Sequence, residues 1–346
     1  MTKVNRISTM LFAVFAVAML LSCNKEEGTV ESKHAIGFHS QDVWTKALVS
    51  GANDLKDEGF VVYAKGTFTG TGESYKFSRD VAWTTVDGVA GWNYENLEYW
   101  LPACTYDFRA YYPASFPATI SEEDFSFSEF ELAPQYEEQQ DILIASAQRA
   151  TADIETEGRT VAFNFTHLLS CLNVTLKVEQ DYRDEVQTDD EGNEMFDEEG
   201  NPITIRVPFN VIDANIKAIA FTGVTKIADY NGTWTNHTGT ISIGDNMETP
   251  VAVTPEGVGF FDEGLLAIPQ TINSGDVMLY ILADIVLPTG GTKPMEWNLR
   301  IPAVTWAPNT KYHYTAVLTA DFSIEFEEPK VESWQQEQMS GIVIIR

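Results

Sequence analysis

The residue with the clearest chemical role in this chain is Cys23, whose thiol follows directly after an apolar run. Lys3 and Arg6 make the first residues positive, residues 10–21 are almost continuously apolar, and the small Ser22 precedes the cysteine. A positive head, an apolar segment and a small residue are typical of a secretory signal peptide, and this segment is too short to span a bilayer as a permanent helix. It is therefore predicted to direct export.

The tetrad Leu20-Leu21-Ser22-Cys23 resembles a bacterial lipobox. The resemblance implies that Cys23 is lipidated on its sulfur, becomes the first mature residue and anchors a Gram-negative lipoprotein in the outer membrane through acyl chains such as palmitate. An ordinary signal peptide with an incidental cysteine is the alternative. The Asn24-Lys25-Glu26-Glu27 segment resembles a surface-export signal, and residues 24–33 are predicted to form a flexible tether.

The net charge excludes one large class of function. The chain carries 51 acidic and 22 basic side chains, which gives a formal net charge of −29. A surface this negative repels phosphate backbones and anionic membranes, so nucleic acid is not an expected partner. The lipid, rather than the protein surface, must then hold the molecule at a membrane.

The residues that usually carry catalysis or bind metals are scattered along the chain. Its five histidines have no partners at metal-like spacing, and the GxSxG and HExxH motifs are absent. His167 and His313 lie in apolar β runs and are expected to be core histidines. The sequence therefore predicts that the protein is not an enzyme and holds no cofactor or metal.

Cys104 and Cys171 are the two cysteines that remain after Cys23. They could form a disulfide in an oxidising compartment. The favoured interpretation is two buried thiols in separate domains. No CxxC pair or Cys/His cluster indicates zinc.

Alternating apolar residues and turn-forming residues recur along the mature chain, and no long segment has helical periodicity. Runs such as residues 60–64 and 277–286 are typical of strands. The pattern predicts an all-β protein with two β-sandwich domains, at residues 34–153 and 158–346, joined through the polar stretch at 148–157.

The densest acidic segment lies at residues 180–202. Asp189-Asp190-Glu191-Gly192-Asn193 and Asp197-Glu198-Glu199-Gly200-Asn201 nearly repeat each other. Glycine and asparagine supply the positive φ that tight turns need, so the segment is predicted to form an exposed hairpin. Clustered carboxylates also suit calcium, although EF-hand spacing is absent, and this remains the alternative.

Aromatic residues make up 12% of the chain, a fraction that favours strands. Packing inside the predicted sandwiches is their expected use. The alternative is a surface glycan-binding lipoprotein in which tryptophans such as Trp83, Trp92 or Trp234 form a platform for sugar rings.

The chain ends in a strongly apolar segment, whose consecutive large residues are Ile342, Val343, Ile344 and Ile345. If it were exposed, such a segment would promote aggregation, so it must be covered. It is predicted to be either the last core strand of its own domain or a strand donated to a neighbouring molecule.

Several segments together resemble the fimbrillin family, the Mfa/FimA-type pilins of Gram-negative anaerobes. The matching segments, in order, are the lipobox at Cys23, Thr45-Lys46-Ala47, residues 99–102, 106–113, 141–145, 163–170, 266–270, 306–314 and 331–334. Each alone is weak, but their order and coverage from the signal to the C-terminus make the resemblance specific.

The resemblance implies two tandem transthyretin-like β-sandwich domains and a role as a fimbrial subunit in cell adhesion. It implies that a protease cuts between Lys46 and Ala47, although many relatives carry arginine at the cut. Removal of the strand before the cut would open a groove for a strand of the next pilin subunit. The protein would then lie on the cell surface, in a fimbrium, with other pilin subunits as partners.

Overall fold

The computed structural model describes residues 34–40, 52–120, 125–209, 213–287 and 290–334. The described chain is almost entirely β, which confirms the predicted fold class. The tandem transthyretin-like assignment stays a prediction.

Two short α-helices, α1 (Ala52–Glu58) and α2 (Ile154–Glu157), accompany the strands. The strands of the first half are β1 (Gly37–Ser40), β2 (Phe60–Phe68), β3 (Ser74–Val86), β4 (Val89–Asn93), β5 (Cys104–Tyr112), β6 (Thr119–Ile120), β7 (Phe125–Glu131), β8 (Leu143–Ala150), β9 (Thr160–Phe163) and β10 (Thr166–His167). The strands of the second half are β11 (Ser170–Val178), β12 (Asp181–Val186), β13 (Thr204–Phe209), β14 (Asp213–Asn231), β15 (Trp234–Val253), β16 (Val258–Ala267), β17 (Gln270–Ile272), β18 (Met278–Val286), β19 (Thr292–Arg300), β20 (Val304–Trp306), β21 (Thr310–Leu318), β22 (Ile324–Phe326) and β23 (Lys330–Ser333).

The N-terminal part is a six-stranded sheet in the order β10-β8-β5-β2-β3-β4, accompanied by the separate pair β1-β9. Side chains alternate between the two faces of a strand. In β2, Phe60, Val62 and Ala64 are buried, whereas Tyr63 and Lys65 on the opposite face are partly exposed. The buried face packs on β1 and β9 to form the N-terminal core.

The C-terminal part is a sandwich of two larger sheets. One has the order β16-β11-β21-β22, with β23 also paired to β21, and the other has the order β19-β18-β14-β7-β6, with β15 paired to β14. Their facing side chains form one apolar core. At its centre, Trp306 Nε1 donates a hydrogen bond of 2.8 Å to the Tyr314 hydroxyl, and the ring of Phe221 contacts both aromatic residues.

Two strands cross between the parts. β6 and β7 precede β8 in the chain, yet β7 pairs with β14, with Glu131 opposite Ile227 and Ser126 opposite Asn231. Both strands lie inside the predicted N-terminal range, but they belong to a sheet of the second sandwich. The domain limits stay a prediction, and β6 and β7 of the first range pair within a sheet of the second.

The acidic segment lies in a hairpin, as predicted, but the second strand of that hairpin, β13, lies beyond the predicted residues 180–202. β12 and β13 pair only with each other, from Asp181 opposite Phe209 to Val186 opposite Thr204. Beyond the paired strands, Asp189 and Asp197 each accept hydrogen bonds from backbone amides of their own turn. The near-repeat in the sequence thus becomes two turns of the same kind.

We expect Phe221→Ala to lower the free energy of unfolding by about 3–5 kcal/mol, because the change leaves a cavity at the centre of the second core. Urea denaturation measures this. The matched control is Phe196→Ala, whose ring is 54% exposed on the hairpin and whose loss should change stability by less than about 0.5 kcal/mol. Equal effects of the two variants would contradict this assignment of the core.

Candidate functional site

The first described strand lies in a groove of the N-terminal core. β1 runs parallel to β9, with Gly37 opposite Thr160 and Ser40 opposite Phe163. More than a hundred residues separate these strands in sequence, so only the tertiary fold brings them together. β1 thereby covers the edge of β9.

The residues that lead into β1 are also bound by the segment before β5. The amide of Ile36 donates a 2.8 Å hydrogen bond to the Glu98 carbonyl, and the amide of Trp100 donates one of 2.9 Å to the His34 carbonyl. The hydroxyl of Tyr94 donates a 2.7 Å hydrogen bond to the Ile36 carbonyl. The start of this segment is therefore bound on both sides.

The side chain of Phe38 is the centre of the apolar contacts. Its ring lies 5.2 Å from that of Tyr94, 6.0 Å from that of Phe108 and 6.1 Å from that of Phe163, measured between centroids. Ile36 is 1% exposed and Phe38 is 0% exposed. Burial of each side chain contributes about 1.5–3 kcal/mol, so the strand is part of the core rather than a surface attachment.

A buried carboxylate supports the groove wall. Glu98 forms an ion pair with Arg79 and accepts a hydrogen bond from the Tyr75 hydroxyl. A buried charge is stable only when it is paired in this way. The hydrogen bond to Glu98 is also the main reason that the pKa of Tyr75 is raised. These contacts position the Glu98 backbone, whose carbonyl receives the Ile36 amide.

Burial raises the pKa of Tyr94 to about 12. The hydroxyl therefore stays protonated through the physiological range and remains a donor to the Ile36 carbonyl. Tyr94 thus contributes both its ring, against Phe38, and its hydroxyl to the same strand.

The site residues predicted from the sequence lie outside the described residues. These are the lipidation candidate Cys23, the processing candidates Lys46 and Ala47, and the donor-strand candidates Ile342, Val343, Ile344 and Ile345. The structure does describe their neighbours in sequence: β1 ends at Ser40, six residues before Lys46, and the described chain ends at Trp334.

Both described cysteines are buried free thiols. Cys104 belongs to the N-terminal core and Cys171 to the core of the second sandwich. Burial raises the pKa of Cys171 to about 12, which makes it a poor nucleophile. The disulfide hypothesis is therefore wrong, and the buried-thiol interpretation is confirmed.

Sequence reasoning missed a buried polar cluster at the junction of the two parts. His167 Nδ1 lies 2.5 Å from Asp141 Oδ2, and the His167 ring stacks on Trp334 with 3.5 Å between centroids. The amide of Trp334 donates to the carbonyl of Asn309, whose own amide donates to the Leu169 carbonyl. His167 is thus a core histidine, as expected, but no short-range spacing in the sequence could indicate its partners.

The proposed tryptophan platform does not form. Trp92 is buried and meets Trp83 at 81° between ring planes. Trp234 packs on Phe127 and donates its indole N–H to the Leu168 carbonyl. These three rings therefore serve packing, and they present no coplanar surface to a sugar.

The described ranges contain no group of three or more His, Cys, Asp or Glu side chains that could hold a metal ion. The same ranges contain no helix with the length and apolar character needed to cross a bilayer.

We expect Tyr94→Phe to destabilise the protein by about 1 kcal/mol, because it leaves the Ile36 carbonyl without its donor while keeping the ring. Urea denaturation and amide hydrogen exchange at Ile36 measure the effect. Tyr63→Phe is the matched control, since the Tyr63 hydroxyl makes no hydrogen bond within the described part of the chain. Equal stability losses in the two variants would exclude this role for the Tyr94 hydroxyl.

Comparison with solved structures gives a match that shares this fold. A fimbrial protein from Bacteroides vulgatus ATCC 8482 matches with a TM-score of 0.60 and 17% identity, over 87% of this chain and 100% of the other. A candidate cell adhesion protein from Bacteroides uniformis ATCC 8492 has a TM-score of 0.46 and 16% identity, over 88% and 99% of the two chains. No curated protein matches.

The family comparison covers most of the chain. The model of one family, described as fimbrillin-like, matches residues 45–334, which include nearly all of the described strands. The chain therefore belongs to the fimbrillin-like family.

Proposed function

We propose that this protein is a fimbrial subunit or accessory pilin that is exported as a lipoprotein and serves in cell adhesion. It polymerises by strand exchange after proteolytic removal of the N-terminal strand. Membership of the fimbrillin-like family and the fold shared with a fimbrial protein support the fimbrial role.

The burial of β1 carries the proposal. The strand precedes the predicted cut at Lys46, and its removal would uncover the β9 edge and the rings of Phe108 and Phe163. Uncovered apolar rings and unpaired backbone groups are unfavourable in water. A strand from a second molecule can satisfy both, which is the physical basis of β-strand addition.

The C-terminal segment has the side-chain spacing that this groove requires. Ile36 and Phe38, two residues apart, point into the core, because alternate residues of a strand share a face. In the terminal segment, Ile342 and Ile344 have the same spacing. Large apolar residues at these positions suit a donor strand that replaces β1 in a neighbouring subunit.

The lipid anchor and the cell-surface location form the second part of the proposal. A surface with a net charge near −29 is repelled by anionic lipid. A lipid on Cys23 supplies the attachment that the protein surface does not. The expected partners are other pilin subunits and the outer membrane.

We expect protein that is cut after Lys46 to form SDS-resistant oligomers when it is mixed with intact protein, because an inserted strand is held by a complete set of backbone hydrogen bonds. Gel electrophoresis without heating measures the ladder. Lys46→Gln is the matched control, since it removes the cut and leaves the rest of the chain unchanged.

A double variant tests the donor. Ile342→Asp with Ile344→Asp should abolish the ladder, because an unpaired charge cannot be buried in the groove without a large cost. Persistence of monomers after complete cutting, with the C-terminus intact, would contradict strand exchange. A ladder from uncut Lys46→Gln protein would equally contradict the need for processing.

For the anchor, we expect Cys23→Ser to abolish incorporation of labelled palmitate in a Gram-negative host and to release the protein from the membrane fraction. Cys104→Ser is the matched control, because its thiol is buried in the folded protein. Labelling that survives in Cys23→Ser would exclude the lipobox interpretation.

A further inference from the structure

The outer face of the N-terminal sheet carries a cavity of about 450 Å³ that the proposed groove does not use. It lies where β2, β5 and β8 are neighbours, on the side of the sheet opposite to the core. Its polar lining comes from Tyr63, Lys65, Asp107, Arg109, Ser146 and Gln148.

Arg109 lies in the middle of this cavity without a partner. It is partly buried, and its side chain forms no ion pair or hydrogen bond within the described part of the chain. In contrast, Arg79, Arg149 and Lys177 each contact a carboxylate. Acidic residues outnumber basic residues by 51 to 22, so an unpaired, partly buried guanidinium is unexpected here. Its planar N–H groups suit a carboxylate.

Other charged residues share this face with Arg109. Lys65 lies directly opposite Lys76 in the β2–β3 pair, an arrangement of like charges that destabilises a sheet. Asp107 is the carboxylate on this face of β5, and Gln148 donates a 2.7 Å hydrogen bond to it. Asp80 of β3 lies opposite Val61 and also shares this face, and both lysines have interactions of their own, so the unpaired group that suits an anion is the Arg109 guanidinium.

The hairpin of β12 and β13 presents the opposite charge. Its end, residues 187–203, contains seven acidic residues and no basic residue. We name these residues the acidic tip. The carboxylates of Asp189 and Asp197 are engaged in their turns. Five others are exposed and without a partner in the described structure: Asp190, Glu191, Glu194, Glu198 and Glu199.

The hairpin is solvent-exposed in the described structure. No residue from 181 to 207 is buried, and Phe196 at the tip is 54% exposed. A lone two-stranded hairpin is only marginally stable in water, and an exposed large ring favours association. The tip therefore combines two properties of a binding element, an apolar ring and free carboxylates.

We propose that the acidic tip of one molecule docks in the cavity around Arg109 of a second copy. Carboxylates of the tip bind the Arg109 guanidinium, and Phe196 packs beside Tyr63. Such a contact joins different surfaces of two subunits, and a contact of this kind builds an open filament when its rotation does not close into a ring.

A role for this contact in a fibre rests on the polymerisation proposed above. The contact itself can be measured on protein that is not cut at Lys46. Because both surfaces are exposed and charged, we expect weak association that falls as salt increases. Strand exchange, by comparison, gives SDS-resistant products. Failure of one process is therefore distinguishable from failure of the other.

Sedimentation velocity of the full mature chain tests the proposal. We expect self-association at 50 mM salt that weakens at 500 mM salt, since the Debye length shortens from roughly 14 to 4 Å. Arg109→Glu should weaken association about tenfold, and so should Glu198→Lys with Glu199→Lys. A protein that carries all three changes should associate about as well as the unchanged protein, because the charges are exchanged.

Arg300→Glu is the matched control. Arg300 is exposed outside the cavity, and its reversal changes the net charge by the same amount. Circular dichroism verifies that each variant is folded. The proposal is overturned if the unchanged protein stays monomeric at about 1 mM, if Arg109→Glu and Arg300→Glu behave alike, or if the exchanged charges do not restore association.

A carboxylate-bearing sugar is the competing occupant of the cavity. Saturation-transfer NMR of the unchanged protein with added N-acetylneuraminic acid tests whether the cavity binds such a sugar. Binding that Arg109→Glu abolishes, together with self-association that this variant leaves intact, would overturn docking of the tip. Absence of sugar binding, together with restored association in the charge-exchanged protein, supports docking of the tip.

Discussion

The N-terminal core depends on one strand that comes from the beginning of the chain. Phe38 fills the space between Tyr94, Phe108 and Phe163, and its strand completes the edge of β9. Apolar rings of this size must be shielded from water. The groove is therefore complete only while some strand occupies it, and the chain supplies that strand immediately before the predicted cut.

The same dependence on distant segments joins the two halves of the molecule. β7 leaves the N-terminal range and pairs with β14, while His167 of β10 stacks on Trp334 near the end of the described chain. Asp141 and Asn309 complete the contacts of this junction. Trp334 is thus fixed against the N-terminal sheet.

Charge then separates the surface into two regions of different use. The acidic excess keeps molecules apart in general, because like charges repel. Arg109, whose side chain is unpaired, and the acidic tip carry opposite charges and therefore complement each other. The proposed contact between these two regions would favour ordered association over aggregation.

The amino-acid pattern was enough to determine the all-β class, the acidic hairpin, the burial of Cys104 and Cys171 and the family, because these follow from local alternation, turn residues and motifs. The pattern did not reveal the parallel pairing of β1 with β9, the transfer of β7 to the second sandwich or the Asp141–His167–Trp334 cluster. Each of these joins residues that are far apart in the chain. Strand partners and buried polar contacts between such residues are decided by how the sheets pack, and only the tertiary structure contains that information.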